Sequence, residues 1–243
     1  MQIIKLSAID STNDYLKKLA SQQFLSNYTV VYTQNQLKGK GQRGAVWNAE
    51  PGKNLTFSVL INDQSLELPS IYTLNVAVTL AILEVLQAKD IPALTIKWPN
   101  DILSANKKIG GILIENSIKN ASSMQSVVGI GLNVNQQNFD NLPQASSMYN
   151  CTKITYDCEE LLAQIVHRLK ENIQMIKNNQ EQSLWKKYRQ NIFKKDVPIA
   201  FEHPDGNQFM GIIKNVTPSG QLEVLLENDS KVFYNSKEIK MLY

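Results

Sequence analysis

The sequence predicts an α+β fold: a mixed β-sheet flanked by helices, followed by a small C-terminal β-barrel of SH3-like size. Three observations predict it. Strand-like and helix-like runs are interleaved through residues 1–192. One predicted helix, residues 69–89 with the run IYTLNVAVTLAILEVLQ, is apolar nearly all round and has to be buried. From about Asp196 the pattern changes to short strands at 197–202, 208–216, 221–227 and 231–235, separated by the turns HPDGN, TPSG and ENDS. The expected units are residues 1–192 and 193–243, the second with so small a core that it has to dock on the first.

The elements follow in order. Residues 2–6 read as a strand. Ser11-Thr12-Asn13-Asp14 then offers N-cap oxygens, and Tyr15, Leu16, Leu19 and Ala20 continue at helical spacing. Residues 28–32 and 55–60 are strands on either side of a glycine-rich loop. Pro92 closes the connection after the buried helix. Residues 94–98 and 101–104 are strands broken at Pro99. Residues 109–118 and 125–134 form two long apolar strands of a hairpin or meander, joined to what precedes by the turn Ala105-Asn106-Lys107. Residues 135–157 are polar and loop-like. Residues 159–176 form an amphipathic helix with Leu161, Leu162, Ile165, Val166, Leu169 and Ile173 on one side, and 183–191 a second short helix.

Bulk properties narrow the function. The chain has 243 residues, 43% hydrophobic and 19% charged, in the range of ordinary globular enzymes. A net charge of +3 is too small to imply nucleic-acid binding. The basic residues Lys186, Lys187, Arg189, Lys194 and Lys195 read as a solvated face. Cys151 and Cys158 fit no zinc spacing and no disulfide scaffold, and read as two reduced thiols of a cytoplasmic protein. The N-terminus lacks the charged-then-apolar pattern of a signal peptide, and no apolar run spans a bilayer.

The most informative stretch is Gly39-Lys40-Gly41-Gln42-Arg43-Gly44. Glycines let backbone N–H groups approach an anion, while the side chains add cations and an amide. Strands on both sides argue against a Walker A loop or a dinucleotide fingerprint, which run into a helix. Alone, the loop reads either as a mobile connection or as an anion clamp. Gly110, Gly111, Gly129 and Gly131 in facing strands weaken those strands and read either as close backbone packing or as room for a flat ligand, the second being favoured. His167 and His203 lie away from these glycines and read as core or surface residues. No nucleophile elbow or metal-ligand spacing is present.

The polar residues at strand ends are Ser11, Thr12, Asn13, Gln36, the loop, Lys97, Trp98, Asn100, Asp101, Lys108 and Asn133. They suit activation of a carboxylate by a nucleotide. That step brings two anions together and needs cations between them, for which Lys108, Lys40 and Arg43 are candidates. It also needs Mg²⁺, with Asp101 the best single ligand candidate, and a loop that orders over the product to keep water out. Taken singly, Lys108 reads by its spacing as a solvated turn lysine and Asn100-Asp101 as a turn.

Together these residues resemble the biotin protein ligases. The family's glycine-arginine loop stands here as GKGQRGAVW, residues 39–47. KWPND stands at 97–101, KIGGILIE at 108–115, GIGLNV at 129–134, and the early S-T-N triplet at 11–13. The motifs occur in family order across residues 7–135, and the terminal barrel matches too. The fold implied is that of the class II aminoacyl-tRNA synthetase and biotin/lipoate ligase type.

The resemblance implies that biotin and MgATP give biotinyl-5′-AMP, and that a lysine of a biotin carboxyl carrier protein, such as that of acetyl-CoA carboxylase, then takes the biotinyl group. It implies that Ser11, Thr12, Asn13 and Gln36 meet the ureido ring. Gly39, Lys40, Gly41, Gln42, Gly111, Gly129 and Gly131 would complete the biotin site, with the valeryl chain against the glycine-bearing strands. Lys108 would bridge the carboxylate and the α-phosphate, and with Arg43 would be catalytic. Arg43, Gly44, Trp47, Lys97, Asn100, Asp101 and Asn133 would serve the nucleotide, Trp47 by packing on adenine and Asp101 by holding the metal.

Departures from the family pattern are Lys40, Gln42 and Ala45. They leave the loop less charged, so weaker retention of the adenylate is expected. Family members with a helix-turn-helix also repress transcription. With about ten residues before Ser11, a ligase without DNA binding is expected, as a monomer or a homodimer, with the barrel aiding ATP or carrier binding. The alternatives are a lipoate–protein ligase of the same fold and a non-catalytic binding module.

Overall fold

The structure, a computed structural model, describes residues 2–62, 71–120, 123–140 and 142–243, with backbone alone at 43, 71, 118–120 and 123–124. The N-terminal part is built on β1 (Ile3–Ile9), α1 (Thr12–Gln22), β2 (Val30–Gln36), β3 (Leu55–Ile61), α2 (Ile71–Gln87), β4 (Leu94–Lys97), β5 (Asp101–Ser104), β6 (Lys107–Asn120) and β7 (Ser123–Leu132). Then come α3 (Met148–Thr152), α4 (Cys158–Lys177) and α5 (Glu181–Gln190), followed by β8 (Pro198–Glu202), β9 (Gln208–Val216), β10 (Leu222–Leu226), β11 (Lys231–Tyr234) and β12 (Lys240–Leu242).

Seven strands form one mixed sheet in the order β1-β2-β3-β7-β6-β5-β4, in which only the β1–β2 pair is parallel. Its two faces differ in chemistry. Leu55, Phe57, Val59 and Ile61 of β3 and Val128, Ile130 and Leu132 of β7 pack into a large core with α2, α4 and α5. The alternate residues face the other way, as the two-residue period of a strand demands. There Leu60 and Val127 meet Leu16 and Ala20 of α1. Toward one end of that face the side chains shrink to Thr56, Ser58, Gly129 and Gly131, and the space they leave is the cleft described below.

α2 is buried from Leu74 through Leu86 except at Glu84, which pairs with Lys187 and Arg168, as its largely apolar composition requires. The part of the predicted helix before residue 71 lies outside the described residues. β8 to β12 form a five-stranded antiparallel sheet in the order β11-β10-β9-β8-β12. Its Phe201, Ile213, Leu222 and Val224 belong to the same continuous core as the larger sheet.

Three expectations are corrected. Residues 135–157 are not all loop, because α3 forms there. Its N-cap Ser147 accepts from Asn150 N and its Met148 is buried, but one turn is too short to show a period. The barrel has a fifth strand, β12, only three residues long. The basic run is not wholly solvated, for Arg189 carries a buried Nε and stacks its guanidinium 5.0 Å from the Trp185 ring. Among the described residues no helix is long and apolar enough to cross a membrane.

Candidate ligand-binding and catalytic cleft

A cleft of about 580 Å³ opens over the small-residue patch of the main sheet. Its floor is polar. Ser11 is the N-cap of α1, its hydroxyl accepting from Asp14 N at 3.4 Å, so the turn that starts the helix also delivers Thr12 and Asn13 to the cleft. Thr12 N donates to Gln36 Oε1 at 2.9 Å, and Thr12 Oγ1 lies 3.2 Å from the same oxygen. Ser58 Oγ lies 2.8 Å from Thr12 Oγ1 and 2.5 Å from Asn13 Oδ1. Asn13 Nδ2 donates to Glu115 Oε2 at 2.7 Å and to the Leu113 carbonyl at 3.3 Å. Thr12, Asn13 and Ser58 are buried, so these bonds are made away from water and each is costly to lose.

The wall is apolar and close. A Cβ built on Gly131 would lie 2.5 Å from Trp47 Cε2, so the indole rests on the bare backbone of β7. Trp47 Nε1 is buried and has no partner. The loop that carries Trp47 closes on itself. Trp47 N donates to Gly39 O at 2.9 Å and Gly41 N to Ala45 O at 2.7 Å, around a single 3-10 turn, Gln42–Gly44. Gly44 has φ +84°, a conformation side chains disfavour, and Gly39 has the Trp47 carbonyl in the space of a Cβ. The loop thus hangs between two strands without opening an α-helix. Lys40 ties it to α1 through an ion pair with Asp14 at 2.5 Å. Burial works to raise the Asp14 carboxyl, but its bonds to Lys40 and Lys17 outweigh that and hold it below the ordinary carboxylate value.

At the mouth, Lys108 Nζ pairs with Asp101 Oδ1 at 2.7 Å and stands 5.6 Å from the centre of the Trp47 ring. A regular strand would put residues 108 and 111 on opposite faces. The register of β5 against β6 shifts between Ile102 and Leu103, and the extra residue reverses the parity. Ile109 turns into the core and Lys108 into the cleft, where its Nζ lies 3.2 Å from where a Gly111 Cβ would be. Asn100 Nδ2 donates to Ile112 O at 2.7 Å and Lys97 stacks 4.7 Å from the centre of the Tyr243 ring, and both line the cleft.

The KWPND segment is held from beneath. The Pro99 carbonyl accepts from Asn75 Nδ2 at 3.0 Å and from Tyr72 OH at 3.3 Å, while Trp98 Nε1 donates to Gly220 O of the small barrel at 2.9 Å. Trp98→Phe keeps an aromatic ring but removes that donor together with the five-membered ring that carries it. It is expected to lower unfolding stability by about 1–2 kcal/mol, read as a lower urea midpoint.

Most of the predicted site residues thus share one cleft. Four stand apart. Gly39 and Gly44 shape the loop backbone without lining the cleft. Asn133 is buried beside it, its Nδ2 committed to Ser146 O at 2.9 Å. The Arg43 side chain lies outside what the structure describes. Sequence reasoning missed Ser58, Thr56 and Glu115, of which only Glu115 had a signal, as the last residue of KIGGILIE. It also placed His203 away from the glycines. The turn between β8 and β9 brings His203 to the cleft, stacked 4.7 Å from the Phe209 ring centre, while β8 adds Glu202 and β12 adds Lys240.

A polar floor, a short apolar wall and a cation at the mouth form a receptacle for a small ligand with a neutral polar head and an anionic tail. The model of the biotin/lipoate A/B protein ligase family matches residues 6–133, and the chain belongs to that family. Among its relatives is the bifunctional ligase/repressor BirA of Salmonella typhimurium, 28% identical over 232 residues, covering 93% of this chain and 70% of the relative. Another is the biotin–[acetyl-CoA-carboxylase] ligase of Mycobacterium tuberculosis, 27% identical over 225 residues, covering 91% and 82%. The biotin protein ligase of Aquifex aeolicus, solved in complex with biotin and ATP, superposes with a TM-score of 0.82 at 26% identity, covering 99% of this chain and 98% of that one.

Proposed function

We propose that the chain is a biotin–protein ligase. It condenses biotin with ATP to biotinyl-5′-AMP and pyrophosphate, then passes the biotinyl group to a lysine amine on a biotin carboxyl carrier domain, such as that of acetyl-CoA carboxylase. The polar floor carries this reading. Gln36, Thr12 and Asn13, backed by Ser58, offer neutral hydrogen-bonding groups and no charge, which suits a ureido ring. The dithiolane ring of lipoate has no N–H or C=O to satisfy them. The ligands and names of the relatives support the same choice.

In the first step a biotin carboxylate oxygen attacks the α-phosphorus of ATP and pyrophosphate leaves. Lys108 stands where the carboxylate and α-phosphate have to meet, and its positive charge offsets their repulsion. In the second step the carrier amine attacks the acyl carbon of the anhydride, AMP leaves and the amine loses a proton. Loop 39–47, with Arg43 toward phosphate by its place in the motif, covers the intermediate from water. Trp47, Lys97, Asn100, Asp101 and Asn133 form the nucleotide side.

The donor set fits Mg²⁺ as an ion carried in on the nucleotide. Among the described residues no three His, Cys, Asp or Glu side chains cluster, and Asp101 supplies the single carboxylate such an ion needs beside phosphates and water. Bound there, it would neutralise charge on the departing pyrophosphate. Residues 1–192 are assigned to biotin and ATP, and 193–243 to closing the nucleotide end of the cleft with His203 and Lys240.

Isothermal titration with biotin and, separately, with lipoate tests the reading. Heat with biotin and none with lipoate is expected. Lipoate binding without biotin would move the chain to the sister activity, and silence with both would leave a non-catalytic module.

A further inference from the structure

A buried amide can be read by counting its hydrogen bonds, because each N–H and each lone pair has a fixed sign. Both N–H groups of Asn13 are spent, on Glu115 Oε2 at 2.7 Å and on the Leu113 carbonyl. A carboxylate only accepts, so Glu115 forces the Nδ2 end of Asn13 toward itself and the Oδ1 end toward Ser58 and Gly129. What Asn13 has left for a ligand is a lone pair on Oδ1. Gln36 is set the opposite way. Its Oε1 faces Thr12 N and Thr12 Oγ1, so what Gln36 has left for a ligand is its Nε2 donors, on the side of the bare Gly39 backbone. The floor therefore offers one acceptor and one donor, the complement of a group that carries an N–H beside a C=O.

We infer that Glu115 is the positioning residue that sets this pattern, and that it selects a ligand ring bearing N–H over one without it. The inference rests on the biotin reading above and adds to it the residue that fixes the sign of the floor. Glu115 does not touch the cleft-facing atom itself, so it acts through Asn13. Its other oxygen is held by Lys17 Nζ at 2.6 Å, and Lys17 also pairs with Asp14 at 3.1 Å.

That second contact makes the role separable from mere packing. In Glu115→Gln the side-chain shape is kept, but the ammonium of Lys17 can only donate and so claims the new amide oxygen. The Gln NH₂ then faces the Asn13 NH₂, and the Asn13 amide turns over to present a donor to the cleft. Lys17→Met in the same chain removes the competitor and lets the Gln oxygen accept from Asn13 again.

The test is isothermal titration of the full chain and three variants with biotin alone. Wild-type binding is the prior condition, and its absence would refute the biotin reading and not the role of Glu115. With wild-type binding in hand, E115Q is expected to bind roughly 10–100-fold more weakly, and K17M/E115Q to return to within about threefold of wild type. The single variant K17M leaves the Glu115–Asn13 bond intact and is expected to bind like wild type, which keeps the test open should E115Q fail to fold. E115Q binding within about threefold of wild type, a double variant no better than E115Q, or K17M as weak as E115Q was expected to be would each overturn the inference.

Discussion

Replacing Lys108 with alanine is expected to slow adenylate formation by roughly 10²–10³-fold, while the fold and the binding of biotin persist. The effect is large because the residue is the cation at the mouth of the cleft that the bulge of β6 turns inward. Its removal acts twice. The biotin carboxylate and the α-phosphate lose the charge between them, and Asp101, only 18% exposed, loses the ammonium that pairs with it. The fold is spared because the Lys108 side chain is 35% exposed and no core side chain depends on it. The measurement is biotin-dependent pyrophosphate release, with biotin titration as the control. The same variant supplied with preformed biotinyl-5′-AMP is expected to recover much of its transfer to a carrier, because only the first step sets two anions against each other. Near-normal pyrophosphate release would refute the role given to Lys108, and failure with both substrates would place its contribution in the second step as well.

How much of this was legible in the sequence depended on the range of the interactions. The buried helix α2 and the apolar strands β3 and β7 are local patterns, and the sequence shows them. The motif strings marked most of the cleft because close backbone approach needs glycine, and glycine is visible. The direction of Lys108 was not legible, because a bulge is a shift of register between two strands and neither strand shows it alone. His203 was misplaced because the turn that carries it belongs to another sheet, and nothing local says where that sheet docks. The packing of the Trp47 indole on Gly131 was not legible either, because loop and strand meet only in the folded chain. Glu115 was visible as the end of a motif, but its partner Asn13 is about a hundred residues away in the chain. Contacts of that separation are set by tertiary structure alone.

Gly129→Ala is expected to weaken biotin binding by about 100-fold or more, and to cost roughly 1–3 kcal/mol of stability. The backbone of Gly129 lies in a regular strand, so alanine meets no conformational barrier there, and the whole cost is steric. The new methyl would run into Asn13 Oδ1, with Asn13 Cγ at 3.0 Å and Nδ2 at 3.1 Å. A surface side chain would swing away. Asn13 has nowhere to go, since Glu115, the Leu113 carbonyl and Ser58 hold it on three sides, and α1 begins one residue earlier. Either those bonds break or the first turn of α1 lifts from the sheet, and both displace the acceptor that a ureido N–H would meet. Gly131→Ala differs in an instructive way. Its methyl would strike Trp47, which sits on a loop that can withdraw, so a smaller loss of stability is expected there than at Gly129. Urea unfolding and biotin titration of the two variants side by side check this. A Gly129 variant that binds biotin like wild type would mean that Asn13 is not part of the ligand floor, whatever the motif around it suggests.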